Sequence, residues 1–286
     1  MRSGFLRAAL TALLAVAGAA QAAAPATGLQ RIVALGGDIT ETVYALGAQN
    51  MLVGVDSTSE WPVAAKRLPN VGYVRQLNAE GVLALHPRLI VATHDAGPPQ
   101  AIAQLRSAGV RIEVMPPSRT PADVVAKIRA VGHLLDRHAE AQRLAAKIEG
   151  EYDDLARRVA GMHSPPRVLF LLSFGNGSPM AAGQGTAADT VIALAGGRNV
   201  AQGYKGYKPV SAEALAALAP QLIVVMGDGD HARALDAVMK LPGVAQTPAG
   251  ASRRIVPVDG EALLGFGPRS AEQTLLLQRT FASASP

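Results

Sequence analysis

The sequence of 286 residues contains no cysteine. A chain without a thiol cannot form a disulfide framework, an iron–sulfur cluster or a thiolate zinc site, and it offers no cysteine nucleophile and no cysteine for lipid attachment. Charged residues are scarce at 17% of the chain, whereas hydrophobic residues make up 49%. Because disordered chains are rich in charge and poor in apolar residues, this composition predicts a folded protein.

Aromatic residues are also few, at 4% of the chain, and neither charge dominates. Lys and Arg number 27 against 22 Asp and Glu, which gives a formal net charge of +5. Nucleic-acid-binding proteins present dense basic patches, often interleaved with aromatic residues, and this sequence has no such stretch. We therefore expect no nucleic-acid partner.

Part of the apolar surplus lies at the N terminus. Residues 1–22 contain Arg2 and Arg7, then an apolar stretch rich in alanine over residues 8–20, and they end in Ala-Gln-Ala. This order is typical of a cleavable secretory signal peptide. The stretch is shorter than the ~20 residues that span a bilayer, so we expect export rather than membrane insertion. Without a lipid-attachable cysteine, the mature protein is predicted to be free in the periplasm.

Seven short apolar runs indicate the strands of an α/β protein. Continuous runs rich in β-branched residues and leucine suit strands that are buried on both faces of a sheet. Four runs precede residue 120 and three follow residue 163. The runs occupy residues 31–35, 51–55, 89–92, 110–114, 167–172, 222–226 and 255–258.

The segment between the two sets of runs predicts a helix. Apolar residues recur mostly at three- or four-residue spacing over residues 121–162, Thr120 can cap the helix, and Pro121 can occupy its first position. About forty helical residues would extend ~60 Å, longer than one lobe requires. We predict one rigid connecting helix over residues 121–162. A helical hairpin broken near Gly132 or Gly150 is the alternative.

An internal repeat supports a division into two lobes. Residues 79–93 and 212–226 agree at 8 of 15 positions, and each copy reads as a capped helix, a turn with proline and a buried strand. Duplication is the simplest explanation. We predict two α/β lobes, over residues 23–120 and 163–286, with a ligand cleft between them.

Four segments of the mature chain carry a resemblance to a known family: residues 31–47, 69–81, 180–189 and 207–213. They resemble the periplasmic haem-binding proteins of bacterial ABC uptake systems, within a larger group that also binds iron-siderophores and vitamin B12. The most specific segment is Gly-Tyr-x-Arg-x-Leu-x-Ala-Glu-Gly over residues 72–81, because this tyrosine marks the haem branch. The resemblance implies two lobes that hold haem in their cleft and move little.

Tyr73 is the predicted axial ligand of the haem iron. Ferric haem accepts one or two axial ligands, and a phenolate is one of the few donors that a cysteine-free protein offers. Tyr73 follows the turn-like residues 70–72, and binding groups usually lie on such loops. Arg75 is its predicted partner, since a nearby guanidinium favours the phenolate over the phenol. Ordinary packing of the tyrosine is the alternative.

Four further residues are candidates for contact with haem. His94 and His231 each follow the Leu-Ile-Val strand of their repeat, at the strand end where α/β lobes collect ligands, although each is also explained as a solvated loop residue. The resemblance places Met180 on the cleft face of the second lobe, where contact with the porphyrin is favoured over iron ligation. Tyr207 lies on a predicted basic loop over residues 203–209, where aromatic rings can stack on porphyrin and lysines can meet propionates; a solvated loop is the alternative.

Glu80 and Glu213 occupy equivalent positions in the repeat. Each follows a capping-type residue by two positions, Asn78 and Ser211, so stabilisation of a helix N terminus explains both. The resemblance adds that one such glutamate on each lobe contacts arginines of the membrane permease. We predict that a monomer docks through this pair on an ABC permease driven by a cytoplasmic ATPase.

The sequence gives little support to an enzyme. Residues 183–188 fit the dinucleotide pattern G-x-G-x-x-A, but they begin about ten residues after their strand and no acidic residue lies near position 205. The sequence contains no G-x-S-x-G, Walker loop or H-E-x-x-H, and no His-rich tract suggests a zinc or manganese site. A binding protein for an iron-siderophore or a corrinoid is the main alternative, and an exported enzyme is a weaker one.

Overall fold

Two β-sheets lie on either side of a helical connection. The computed structural model describes residues 31–173, 179–227 and 231–284, with the side chains of residues 173, 231 and 232 left out. The predicted signal peptide, residues 1–22, lies outside the described residues. No helix in the described ranges is both long and apolar enough to cross a membrane.

The N-terminal lobe alternates strands and helices. Its elements are β1 (Ile32–Leu35), α1 (Gly37–Ala45), β2 (Leu52–Val55), α2 (Ala79–Leu83), β3 (Leu89–Ala92), α3 (Pro99–Ser107) and β4 (Arg111–Val114), with short 3-10 helices at Gln49–Met51 and Val63–Arg67. The strands form a parallel sheet in the order β2-β1-β3-β4. Both central strands, β1 and β3, are completely buried, as their continuous apolar runs predict.

The connection consists of two helices, α4 (Pro121–Leu134) and α5 (His138–Ala160), so the single helix predicted over residues 121–162 is wrong. The chain reverses at Asp136, which takes a left-handed conformation (φ 54°) that aspartate tolerates better than most residues. The helices then pack side by side, with Arg129 of α4 and Glu149 of α5 joined at 3.0 Å. A Cβ atom on Gly132 would overlap that of Ala141, so the hairpin alternative near Gly132 is correct and Gly132 permits the close approach.

The C-terminal lobe contains a mixed sheet. Its elements are β5 (Arg167–Ser173), β6 (Met180–Ala182), α6 (Ala187–Leu194), β7 (Arg198–Asn199), β8 (Tyr207–Pro209), α7 (Ala212–Leu218), β9 (Leu222–Gly227), α8 (His231–Met239), α9 (Pro248–Ala251), β10 (Ile255–Asp259), α10 (Gly260–Leu264) and α11 (Ser270–Ala284), with a 3-10 helix at Val244–Gln246. The order is β10-β9-β5-β6-β8, and β7 pairs with β5. Strands β10, β9 and β5 are parallel, whereas β6 is antiparallel to both of its neighbours.

One hydrophobic cluster runs through both lobes. It begins under β1 and β3, continues along the inner faces of α4 and α5, and ends under β5 and α11. Its members include Ile32, Leu89, Ile128, Ile148, Phe170 and Phe281. All seven predicted strands are present and the two-lobed α/β architecture is confirmed, while the predicted outer limits of the lobes, residues 23–120 and 163–286, remain predictions.

Candidate functional site

A cleft of about 1240 Å³ lies between the two lobes. Its walls are formed by residues that follow the carboxyl ends of the parallel strands, which is where ligands bind in α/β folds. Gly36 follows β1, Thr58 follows β2 and His94 follows β3; in the second lobe, Asp259 ends β10 and Glu261 follows it. Both lobes therefore face the same space.

Tyr73 lies on an anchored loop beside Val74 and Arg75, which line the cleft, although Tyr73 is not itself among the lining residues. The neighbouring side chains Val74 and Leu77 are buried, and the backbone N–H of Leu77 donates to Gly97 while that of Gly97 donates to Val74. Tyr73 itself is 37% exposed, unusually open for a large aromatic residue. The loop is therefore held in place by its apolar neighbours, and the phenol remains accessible.

Arg75 connects Tyr73 to the cleft. Its Nη1 donates a hydrogen bond to the Tyr73 hydroxyl, and its Nε and Nη2 lie 2.7 and 2.5 Å from Asp95 Oδ2. Thr93 Oγ1 holds the other carboxylate oxygen, Oδ1, at 2.7 Å. Burial opposes ionisation of Asp95, but the hydrogen bonds from Thr93 and Arg75 outweigh it and lower the pKa of this carboxyl. A guanidinium that is held by a carboxylate therefore lies beside an accessible phenol oxygen.

Tyr207 lines the cleft from the second lobe, opposite Arg75 and Asp95. The predicted basic loop is partly a strand, because Tyr207 begins β8 and pairs with Ala182 of β6. The half-buried ring lines the cleft. Burial raises the pKa of the phenol, while a hydrogen bond from the Ala188 backbone N–H and the positive charges of Arg119 and Arg75 act in the opposite direction. The Tyr207 hydroxyl therefore lies within electrostatic reach of two arginines of the other wall.

The remaining haem-contact candidates are not all brought together. His94 lines the cleft next to Asp95. Met180 is partly buried in β6, opposite Pro209 of β8, and it is not among the residues that line the cleft. The backbone of His231 begins α8 rather than lying in a loop, and its side chain is outside the described atoms.

The floor of the cleft contains an ion-pair cluster that no sequence pattern predicts. Arg269 donates to Glu41 Oε1 of the N-terminal lobe at 2.5 and 3.0 Å and to Asp259 Oδ2 of its own lobe at 2.8 Å. Its guanidinium carbon also lies 4.7 Å from the ring centre of Trp61, which is 46% exposed. Arg269 and Glu41 are 228 residues apart, so no local pattern indicates this contact. The one feature of the sequence that could have drawn attention to this cluster is Trp61, because it is the single tryptophan of the chain.

Glu261 adds an unusual carboxyl to the same floor. Burial, together with the negative charges of Glu41, Glu60 and other nearby carboxylates, raises its pKa to about 8. Its Oε1 atom is buried without a hydrogen-bond partner among the described residues. At neutral pH this group is therefore mostly protonated, and it adds little negative charge to the cleft. No cluster of three or more metal-ligating side chains occurs within the described ranges.

Comparison with known proteins decides the family. Residues 32–262 match the family model described as periplasmic binding protein. The chain belongs to the periplasmic binding protein family. Among solved structures, it is similar to the periplasmic haem-binding protein BhuT in complex with two haems, with 41% identity over 89% of this chain and 98% of that one and a TM-score of 0.83. It is also similar to the apo form of the periplasmic haem-binding protein RhuT from Roseiflexus sp. RS-1, with 40% identity, coverage of 90% and 99%, and a TM-score of 0.84.

A more distant relative of this periplasmic binding protein has a different ligand. The vitamin B12-binding protein of Yersinia pestis (strain Pestoides F) is 29% identical over 204 residues, which are 71% of each chain. The resemblance to the haem-binding branch is confirmed by the higher identity to its solved members, and the wider group contains the corrinoid binders that the sequence left as the alternative. All three relatives are binding proteins.

Glu80 and Glu213 lie outside the cleft of this periplasmic binding protein. Both are exposed in the first turn of a helix, α2 and α7. Asn78 Oδ1 caps α2 by accepting from the Glu80 N–H at 2.8 Å, and Ser211 Oγ caps α7 by accepting from Ala214 at 3.2 Å. A hydrogen bond from its own backbone N–H and one from Ser211 lower the pKa of Glu213. The predicted capping is therefore present, and both carboxylates are accessible.

Proposed function

We propose that this protein captures haem in the interlobe cleft, in the periplasm, and delivers it as a monomer to an inner-membrane ABC permease driven by a cytoplasmic ATPase. One observation carries the proposal: an accessible phenol, Tyr73, accepts a hydrogen bond from Arg75, which lines a large cleft and is itself held by Asp95. The similarity to haem-binding proteins at about 40% identity supports it. Export through the predicted signal peptide, residues 1–22, fits the location.

The iron ligand is Tyr73, with Arg75 as the hydrogen-bond donor that orients its oxygen. Asp95 fixes Arg75 through two of its nitrogen atoms, so the guanidinium keeps its position when a ligand enters. Partners of a metal ligand are commonly needed for full affinity even though they do not touch the metal. His94, Met180, Tyr207 and His231 remain candidates for further contacts to haem, and either histidine can supply a second axial ligand.

The cleft walls combine apolar side chains with charged ones, as a site for a macrocycle that carries carboxylates would. Small-molecule sites are mostly apolar, with a few placed polar groups, and commonly measure roughly 300–1,000 Å³. The cleft is larger than that range, and the BhuT complex contains two haems. A titration should therefore count the haems held by each chain. Apolar wall residues include Val74, Met115, Leu172, Met226, Val258 and Leu264.

Titration with hemin tests the ligand assignment. We expect the purified mature protein to bind hemin and to develop the visible spectrum of a tyrosine-ligated ferric haem. Tyr73→Phe removes only the oxygen, so that spectrum should be lost and the affinity should fall by roughly 10–100-fold, at least the size of effect seen for partners of metal ligands. Tyr44→Phe is the matched control, because Tyr44 lies on α1, packs against the hydrophobic cluster and has no contact with Arg75 among the described hydrogen bonds.

The same titration separates haem from the alternative ligands. Cyanocobalamin and a ferric siderophore are offered in parallel with hemin. Failure of the wild-type protein to bind hemin, or tighter binding of cobalamin, would overturn the proposed function. Unchanged affinity and spectrum in Tyr73→Phe would leave haem binding intact and refute the ligand assignment.

Docking on the permease is assigned to Glu80 and Glu213. Their exposed carboxylates, one on each lobe, provide two negative anchor points for arginines, and removal of rim charges typically slows association. Haem transfer into vesicles that contain the permease should therefore weaken in Glu80→Ala and Glu213→Ala while hemin affinity is unchanged. Glu272→Ala, which removes an exposed glutamate from the first turn of α11, is the control. Equal transfer by all variants would refute the docking role.

A further inference from the structure

The charges of the cleft walls are almost all paired. On the N-terminal side, Lys66 lies 3.3 Å from Glu60, and Arg75 lies 2.5 Å from Asp95. These two basic side chains therefore neutralise carboxylates of the protein itself. A ligand that enters the cleft meets two ion pairs here rather than two free cations.

The basic side chains on the floor of the cleft are also paired with carboxylates of the protein. Lys127 bonds to Asp38, and Arg269 lies 2.8 Å from Asp259 and also binds a second carboxylate in the N-terminal lobe. The remaining lining carboxyl, Glu261, is mostly protonated at neutral pH because its pKa is about 8. Each of the four lining carboxylates that is ionised at neutral pH therefore has a basic partner.

Arg119 is the exception among the lysines and arginines that line the cleft. It is exposed, and its side chain forms no ion pair with any described residue. The backbone at Arg119 is nevertheless fixed, because its N–H and that of Thr120 donate to the carboxylate of Asp123 at 3.0 and 2.8 Å, in the capping box that begins α4. A free guanidinium therefore extends from an ordered backbone.

The opposite wall places a hydroxyl near this guanidinium. The positive charge of Arg119 acts on the Tyr207 phenol of the second lobe. Thr186, the N-cap of α6, lies beside the same hydroxyl and also lines the cleft. A cation without an ion-pair partner among the described residues and a phenol that bonds Ala188 and Thr186 thus line the same cleft from opposite walls.

We propose that Arg119 and the Tyr207 hydroxyl form a subsite for one carboxylate of the ligand, so that a propionate bridges the two walls of the cleft. This inference rests on the proposed function and names the chemical group by which the cleft selects its ligand. An anionic tetrapyrrole satisfies the free charge, whereas a ligand whose side chains are amides or esters leaves it unpaired. A charged hydrogen bond to guanidinium is stronger than a neutral one, so Arg119 selects ligands with carboxylates.

A comparison of two ligands tests the subsite. Wild-type protein, Arg119→Ala, Arg119→Lys and Tyr207→Phe are titrated with hemin and with hemin dimethyl ester, whose propionates are uncharged. Arg106→Ala, which removes an exposed arginine from α3 outside the cleft lining, is the control. Thermal unfolding of each variant verifies that it is folded.

We expect Arg119→Ala to weaken hemin binding by about tenfold and to change binding of the ester by less than about twofold, as the loss of a charged hydrogen bond predicts. Arg119→Lys should retain part of the preference, and Tyr207→Phe should show a smaller selective loss. Equal weakening of both ligands, or no change in either, would overturn the subsite while leaving haem binding intact. If wild-type protein binds neither ligand, the proposed function itself fails.

Discussion

Replacement of Lys127 by methionine tests the buried ion pair between the helical connection and the N-terminal lobe. Lys127 lies on α4 and is 3% exposed, and its partner Asp38 in the first turn of α1 is 9% exposed. The Lys127 ammonium also lies 3.5 Å from the carbonyl oxygen of Gly265 in the C-terminal lobe. Methionine keeps most of the aliphatic stem but leaves the Asp38 carboxylate buried without its partner.

The expected loss follows from this burial. Breaking a buried pair by removing one partner costs about 3–5 kcal/mol, because the remaining charge stays desolvated. For a chain of this size, each 1 kcal/mol lowers the midpoint of thermal unfolding by about 2–4 °C. We therefore expect Lys127→Met to lower the midpoint by about 10 °C, measured by circular dichroism.

A double variant separates the lost pair from lost packing. Asp38→Asn in the Lys127→Met background removes the orphaned charge, so it should recover most of the lost stability. Urea unfolding of the wild-type protein, both single variants and the double variant gives the coupling energy. A loss below about 1 kcal/mol in Lys127→Met would show that the pair contributes no more than a surface ion pair. A double variant no more stable than Lys127→Met would also refute the reasoning.

Two further predictions concern pH and packing. The pKa of Glu261 is about 8 in the folded protein against an ordinary value of 4.5, so the folded state binds a proton that the unfolded chain releases, and stability falls as pH rises from about 4.5 to about 8. Glu261→Gln should flatten this slope in urea titrations across that range, and an unchanged slope would contradict the assignment. Gly132→Ala should destabilise the protein by about 1–3 kcal/mol because its Cβ would overlap Ala141. Gly150→Ala, where a Cβ meets nothing within 4 Å, should stabilise α5 by up to ~1 kcal/mol; similar effects at both glycines would contradict this account of the hairpin.

The strands could be predicted because the apolar run that indicates burial lies within the sequence of each strand. Strands such as β1 and β3 are covered on both faces, and their continuous apolar runs show it directly. The turn between α4 and α5 was not predictable in the same way. Apolar spacing continues through both helices, and the reversal depends on Asp136 in a left-handed conformation and on the fit of Gly132 against Ala141. Periodicity indicates the helical faces but does not show where a helix turns back.

The candidate site also has one part that could be predicted from the sequence and another that could not. Tyr73 and Arg75 are two residues apart, so their pairing could be predicted from spacing and from the resemblance. Asp95, which fixes Arg75, is 20 residues away in the loop that follows β3, and it meets Arg75 because β3 ends at this edge of the sheet. The sequence also could not show that Arg119 lacks an ion-pair partner among the described residues. This becomes evident only when the partners of the other lysines and arginines that line the cleft are known from the structure.

The hydrophobic cluster that joins the lobes has a consequence for the proposed delivery of haem to a permease. Two lobes that share one interior, along α4 and α5, cannot open widely without exposing that interior to water. Under the proposed function, such a protein would present nearly the same outer face to the permease whether it is empty or full. Empty copies would then occupy the permease as well, and the rate of import should follow the loaded fraction of the carrier rather than its total amount.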